Sequence, residues 1–126
     1  MSGEFKAIRD AAKARVSTVY PGKVFTARLV DPKDAADFVK VFLVRGRVQQ
    51  NGLDAPISSD LVISYHHKLI DNDDGLDVVM DLIDDAIAAS PLLPNLLRGV
   101  HFEGFEYFDE NEGQYSGLQY IYNVIF

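Results

Sequence analysis

Apolar residues recur along the chain with two different periods, which predict helices and strands. In residues 4–19 they follow the spacing of an amphipathic helix, and Pro21-Gly22 ends the segment. A second helix is predicted over Asp73–Ala89, where Ser90-Pro91 ends it. Alternating patterns bounded by turn residues predict strands at Lys23–Val30, Phe38–Gln49, 60–69, 100–109 and 115–126.

The predicted order of elements, αβββαββ, indicates one α+β domain over residues 1–126. A chain of this size can bury about two thirds of its unfolded surface, so it needs no disulfide or metal to fold. We expect an antiparallel-rich mixed sheet of four to five strands with two main helices packed on one face. The last strand is apolar on both faces, so it should be internal or at an interface. LLPNLLRG, before the last two strands, predicts a short helical connection.

Charge is distributed unevenly along the chain, whose net charge is −7. Residues 1–50 hold ten Lys/Arg against five acids, whereas residues 51–126 hold two against fourteen. The net negative charge argues against a general nucleic-acid binder. No apolar run is long enough to span a membrane, and MSGEFKAIRD does not resemble a signal peptide. We therefore expect a soluble intracellular protein, which the absence of cysteine also fits.

The segment HHKLIDNDDGLD, residues 66–77, raises the question of a metal site. Adjacent residues of a strand point to opposite faces, so His66 and His67 cannot share one ion. The EF-hand register fails as well, because the sixth position counted from Asp71 is a leucine rather than a glycine. We expect one of residues 71–73 to cap the second helix instead. A weak, exposed cation site on the aspartates is the alternative.

No motif for catalysis or cofactor binding is found elsewhere in the sequence. His101-Phe102-Glu103 has the H-x-E spacing of zinc deaminases, but the chain lacks the cysteines that complete such a site. It also lacks a phosphate-binding loop, a dinucleotide fingerprint and a nucleophile elbow. We therefore expect a protein that is not an enzyme and has no catalytic residues, no metal and no cofactor.

The second helix carries an acidic stripe formed by Asp77, Asp81, Asp84 and Asp85. Like charges three or four residues apart cost about 0.2–0.5 kcal/mol per pair, and no nearby lysine or arginine offsets them. Two interpretations stay open: a solvated face, or a surface that meets a basic partner. A basic set could meet the stripe within a subunit or between subunits, and it comprises Lys6, Arg9, Lys13, Arg45 and Arg47.

Several features of the chain follow one another in an order that is also found in a known protein family. They are the amphipathic first helix, the strand entry Ala36-Asp37-Phe38, the acidic helix and the connection from Pro91 to Leu97. The ending is the most specific: Gly104-Phe105-Glu106-Tyr107, an acidic turn, then Ser116-x-Leu118-x-Tyr120-x-Tyr122-x-Val124. In order, length and ending, over most of its residues, the chain resembles the lambda-type phage tail terminators, the minor tail protein U family.

The resemblance implies a subunit of a homo-hexameric ring in the virion tail, assembled in the host cytoplasm. Such rings cap the head-proximal end of the tail tube, stop its polymerisation and provide the head-joining surface. The implied partners are the tail tube protein and a head-completion or connector protein. Phage DNA passes through the ring without specific binding, and no membrane is involved. The alternatives are another neck or tail-completion protein, or a small regulatory ligand-binding α+β domain.

Overall fold

The computed structural model describes residues 2–29, 35–48, 57–68, 73–110 and 114–126. Within these ranges the chain forms two helices, α1 (Ser2–Ser17) and α2 (Asp74–Ala88). The strands are β1 (Lys23–Phe25), β2 (Asp37–Val48), β3 (Ile57–Lys68), β4 (Gly99–Glu110) and β5 (Tyr115–Ile125). The order αβββαββ and the α+β class are confirmed. In the described part of the chain, neither helix is long and apolar enough to cross a membrane.

The five strands form one mixed sheet in the order β1-β2-β3-β5-β4. β1 is parallel to β2, and the other three pairings are antiparallel. β5 lies between β3 and β4, which confirms the internal position expected for the last strand. The register shifts in β2 between Leu43 and Gly46 and in β4 between Phe102 and Gly104. Such irregularities bend long strands and increase their twist.

Both helices pack on the same face of the sheet, as expected. α1 lies over β1 and β2, α2 lies over β3 and β5, and the two helices contact each other. We call this side the helix face and the opposite side the open face. The buried side chains between the layers come from alternate strand positions and from one side of each helix, and they include Ile8, Val16, Val39, Val41, Leu61, Ile63, Leu76, Met80, Ile83, Leu118 and Val124.

The segment LLPNLLRG does not form the predicted helix. It folds as turns in which the N–H groups of Leu96 and Leu97 both donate to the carbonyl oxygen of Leu93, each at 2.9 Å. The cause is Pro94, because a proline pushes the residue before it out of the α-helical region. Leu93 is outside the right-handed helical region, with a left-handed φ of 50° rather than the extended backbone that is usual before proline.

Two predicted boundaries also differ from the structure. The strand predicted at Lys23–Val30 is regular only as far as Phe25. The first helix ends at Ser17, so Val19, at the end of the helical segment predicted over residues 4–19, lies outside it and is exposed. Tyr20 is buried instead, and its hydroxyl donates to Asp37 at 2.6 Å.

Arg15 of α1 ties the two helices together at the C-terminal end of α2. Its Nη1 donates to the carbonyl oxygens of Ala86, Ile87 and Ser90 at 3.0, 3.3 and 3.0 Å, and its Nη2 donates to that of Pro91 at 3.4 Å. The last carbonyl groups of a helix have no partner inside it and form the negative end of its dipole. Since the last turn of α2 has no basic residue of its own, α1 supplies the cation.

Candidate functional site

The acidic stripe of α2 faces tyrosines of the sheet. Each of three tyrosine hydroxyls donates a hydrogen bond to one aspartate: Tyr107 to Asp77 at 2.5 Å, Tyr120 to Asp81 at 3.3 Å and Tyr122 to Asp84 at 2.6 Å. We call this arrangement the tyrosine–aspartate ladder. It joins α2 to β4 and β5, and neither interpretation of the stripe drawn from the sequence included it.

The ladder and its burial raise the pKa values of its tyrosines. The hydrogen bond to Asp77 raises the pKa of Tyr107 to about 12. Burial, followed by the charge of Asp81, raises the pKa of Tyr120 to about 12. Burial and the hydrogen bond to Asp84 also raise the pKa of Tyr122. A tyrosine is already protonated at physiological pH, so the three hydroxyls act as donors there, and hydrogen bonds to a charged acceptor are stronger than neutral ones.

A groove runs between α2 and β4. One cavity, of about 600 Å³, lies near the end of α2, and the residues lining it include Asp84, Leu92, Leu97, Val100, Phe102 and Tyr122. A smaller one, of about 180 Å³, is lined by Asp77, Asp81, Phe105, Tyr107, Leu118 and Tyr120. The groove therefore has carboxylates on its helix side and aromatic rings on its strand side.

β4 is an edge strand with exposed aromatic rings. Phe102, Phe105 and Tyr107 lie on the helix face, opposite residues of β5, and are 51%, 61% and 42% exposed. On the outer side of α2, Val78 and Leu82 are also exposed. A long edge strand with apolar side chains is a ready template for another chain, and monomeric proteins usually protect such edges. These features indicate a contact surface.

The basic set lies in the other half of the molecule. Lys6, Arg9 and Lys13 are on α1, which covers β1 and β2, and Arg45 and Arg47 are in the exposed second half of β2. Among the described residues, no ion pair joins this set to the acidic stripe. Lys6 instead pairs with Asp10 of its own helix at 2.6 Å. The described part of the chain thus does not bring the two sets together within one subunit.

Arg45 and Arg47 face the open side of the sheet, away from α2. They line a cavity of about 150 Å³ together with Ser58, Asp60, Glu103 and Asn123. Within one subunit their acidic neighbours are therefore Asp60 and Glu103 rather than the acidic stripe.

Opposite charges consequently occupy opposite sides of the molecule along the strand order. The α1–β1–β2 side carries the basic set. The α2–β4 side carries the acidic stripe, and β4 adds four further acids, Glu103, Glu106, Asp109 and Glu110. Two of these approach side chains of β2 across the open face: Glu110 pairs with Lys40 at 3.6 Å, and Glu103 shares a cavity with Arg45 and Arg47. We call these the basic edge and the acidic edge.

The two adjacent histidines point to opposite faces, as predicted. His66 is on the open face, 1% exposed, with its ring stacked on Phe38 at 4.4 Å between centroids. His67 is on the helix face, opposite Ser116. Among the described residues no group of three or more His, Asp or Glu could hold a metal ion. Asp73 occupies the N-cap position of α2 without a side-chain hydrogen bond there, and residues 71–72 lie outside the described ranges.

The contacts of His66 have the order of a catalytic triad. Ser64 Oγ lies 2.8 Å from its Nε2, and Glu110 Oε1 lies 2.9 Å from its Nδ1. Lys40 Nζ stands 3.6 Å from Oε2 of Glu110. However, Ser64 and His66 are each 1% exposed, so a substrate cannot reach the hydroxyl. The approach of Glu110 also lacks the geometry of a hydrogen bond to Nδ1. We interpret this group as a buried polar cluster that supports the open face.

Comparison with known proteins does not assign the chain to a family. The chain matches no protein-family model, and no curated protein matches it in sequence. The resemblance to tail terminators therefore stays a prediction that rests on the order and types of the residues quoted above.

The ladder gives a first prediction, because its members differ in burial. Tyr122 is 3% exposed, so Tyr122→Phe should lower the free energy of unfolding by about 1–2 kcal/mol through loss of a charge-assisted hydrogen bond. Tyr107 is much more exposed, and Tyr107→Phe serves as the matched control with a smaller expected effect. Urea unfolding of both variants checks this. The prediction would be contradicted if Tyr122→Phe and Tyr107→Phe lowered the free energy of unfolding equally. It would also be contradicted if a double-mutant cycle showed no coupling between Tyr122→Phe and Asp84→Ala.

The polar cluster gives a second prediction. Burial lowers the pKa of His66 from 6.5 to about 4; Glu110 opposes this shift and Lys40 adds to it. Between these pH values the unfolded chain binds the proton more readily than the folded chain. Above about pH 7 the proton binding of His66 does not reduce the free energy of unfolding. As the pH falls towards 4 it does, and the free energy of unfolding should decrease by about 2 kcal/mol between about pH 7.5 and pH 5.

Urea unfolding at the two pH values checks the His66 prediction. His66→Gln should remove this part of the pH dependence, whereas the exposed control His101→Gln should keep it. A pH dependence that persists in His66→Gln would assign it to other groups.

Proposed function

We propose that the protein is a tail terminator: the subunit of a homo-hexameric ring that caps the head-proximal end of a phage tail tube. The observation that carries the proposal is the basic edge and the acidic edge at opposite ends of one sheet, the latter with exposed aromatic rings. The number of subunits and the position on the tail tube come from the resemblance of the sequence to the tail terminators. No catalytic residue, metal or cofactor takes part.

Two different complementary edges on one subunit favour head-to-tail association. In such a heterologous contact one patch of a subunit meets a different patch of the next, and a ring forms when the rotation closes. A two-fold contact through a single edge would instead place like charges together, for example acid against acid. The charge pattern therefore supports a cyclic ring over a two-fold dimer.

The ring would act by occupying the last position of the tube. One ring surface would bind the tail tube protein and end polymerisation, and the other would bind a head-completion or connector protein. DNA passing through the ring would bind weakly, because affinity for duplex DNA comes mainly from neutralised phosphates and the subunit has a net charge of −7.

The groove between α2 and β4 favours a second candidate, a small ligand-binding domain. Its larger cavity, of about 600 Å³, is within the range of about 300–1,000 Å³ that is typical of ligand pockets. In that case the protein would be monomeric, and the groove would face solvent. The oligomeric state therefore separates the two candidates.

Size-exclusion chromatography with light scattering should detect a hexamer whose stability falls from about 50 mM to about 500 mM salt, because exposed charges are screened. Asp81→Asn/Asp85→Asn should weaken the hexamer at little cost to the subunit, since like-charge repulsion within α2 is relieved and the amide oxygen at position 81 can still accept the long, 3.3 Å hydrogen bond of Tyr120. Asp84 is left unchanged because it accepts the buried hydrogen bond of Tyr122. Asp10→Asn, which removes an acid from α1, is the control and should leave the hexamer intact.

The proposed ability to cap a tail tube can be measured separately, by the length of the tubes. Added to polymerising tail tube protein, the wild type should shorten the tubes seen by electron microscopy, and Asp81→Asn/Asp85→Asn should shorten them less. A protein that is monomeric at every salt and protein concentration, and that leaves tube length unchanged, would contradict the proposal.

A further inference from the structure

The sheet has two free edges among the described residues. β4 pairs with β5 on one side, and no described strand lies on its other side. At the opposite end, β1 pairs with β2 only at positions 38–40. Residues 41–48 of β2 therefore also have one side without a strand partner within the described ranges. Both edges expose backbone N–H and C=O groups, which normally pair with another strand or are protected.

The directions of the two free strands are compatible with pairing. β3 is antiparallel to β2, β5 is antiparallel to β3, and β4 is antiparallel to β5. β2 and β4 consequently run in opposite directions. A rotation about an axis parallel to the strands preserves these directions in the next copy. It would bring β4 beside β2 of that copy as an antiparallel pair.

The side chains on the open face are complementary in such an arrangement. Glu103 and Glu106 project from this side of β4, and Arg45 and Arg47 project from this side of β2. Side chains opposite each other on paired strands interact directly, and opposite charges there are favourable. Joining two sheets edge to edge keeps their open faces continuous, so Glu106 of one copy would come near Arg45 and Arg47 of the next, which already share a cavity with Glu103 of their own subunit.

The side chains on the helix face fit as well. The exposed rings of Phe102, Phe105 and Tyr107 would lie beside the layer in which α1 of the next copy covers β1 and β2. α1 carries Lys6, Arg9 and Lys13, and α2 carries the acidic stripe. Continuing the helix layer would bring the acidic stripe of α2 towards the basic residues of α1 in the next copy, whereas no ion pair joins these two charged sets among the described residues of one subunit.

We infer that β4 of one copy pairs antiparallel with residues 41–48 of β2 in the next copy, so that the sheets join into one continuous sheet around the ring. The inference rests on the proposed ring and names the surfaces that close it. The charge complementarity selects a second copy of this chain as the occupant, because β4 is acidic and the free part of β2 is basic.

Cysteine cross-linking tests the inference directly, because the chain has no cysteine of its own. Glu106→Cys and Arg47→Cys are made as separate proteins, mixed, and treated with a short bis-maleimide that tolerates a small register difference. Each variant carries a single thiol, so any cross-link between the two different variants joins two chains.

The mixture should yield at least about tenfold more cross-linked dimer than either variant alone, because an interface raises the local concentration of the two thiols. The control pairs Glu106→Cys with Asn95→Cys, an exposed position in the turns that precede β4 and outside the proposed β4–β2 pairing, and should give only background. A protein with both cysteines, Glu106→Cys/Arg47→Cys, should give a ladder of cross-linked species that ends at six chains.

The other outcomes separate this inference from the proposed function. If light scattering shows hexamers but the β4–β2 cross-link stays at background, the strand pairing is wrong and the ring stands. If Glu106→Cys cross-links efficiently with itself, the contact is two-fold, and both the pairing and the ring are wrong. Monomers throughout, with no cross-links, would overturn both.

Discussion

The sheet keeps its strands nearly in chain order, and the rest of the molecule depends on this constraint. Only β4 and β5 are exchanged in the order β1-β2-β3-β5-β4. Each helix covers the strands near it in sequence, α1 over β1 and β2 and α2 over β3 and β5. A difference in charge between the two halves of the chain therefore becomes a difference between two edges of the folded domain. A more interleaved strand order would have mixed these charges.

The tyrosine–aspartate ladder explains how α2 can carry four aspartates on one side. Three of them accept hydrogen bonds from tyrosines, which stabilise the carboxylates without neutralising them. The ladder thus fixes α2 to β4 and β5 and leaves the negative charge of the edge in place. Asp85, beyond the ladder, is exposed. Arg15 has the complementary role at the other contact of α2, where its cation satisfies the end of the helix.

The sequence predicted the elements well because each has a local signal: the period of its apolar residues and the turn residues around it. The two faces of β3, with His66 and His67 on opposite sides, follow from alternation alone. Contacts between distant elements had no such signal. Tyr122 meets Asp84, and Glu110 meets His66, only because β5 and β4 take particular places and registers in the sheet. LLPNLLRG has an apolar pattern, but the steric effect of Pro94 on Leu93 outweighs it and the segment folds as turns.

The central claim of this account is that unlike edges of neighbouring copies meet. It is tested most directly by two charge-reversed proteins, Arg45→Glu/Arg47→Glu and Glu103→Lys/Glu106→Lys, each first shown by circular dichroism to be folded. In native mass spectrometry each should be monomeric alone, because one of its edges now repels the other. Mixed in equal amounts, they should form hexamers with three copies of each, since every contact is again between opposite charges. Hexamers of either protein alone, or a mixture that stays monomeric, would contradict the account.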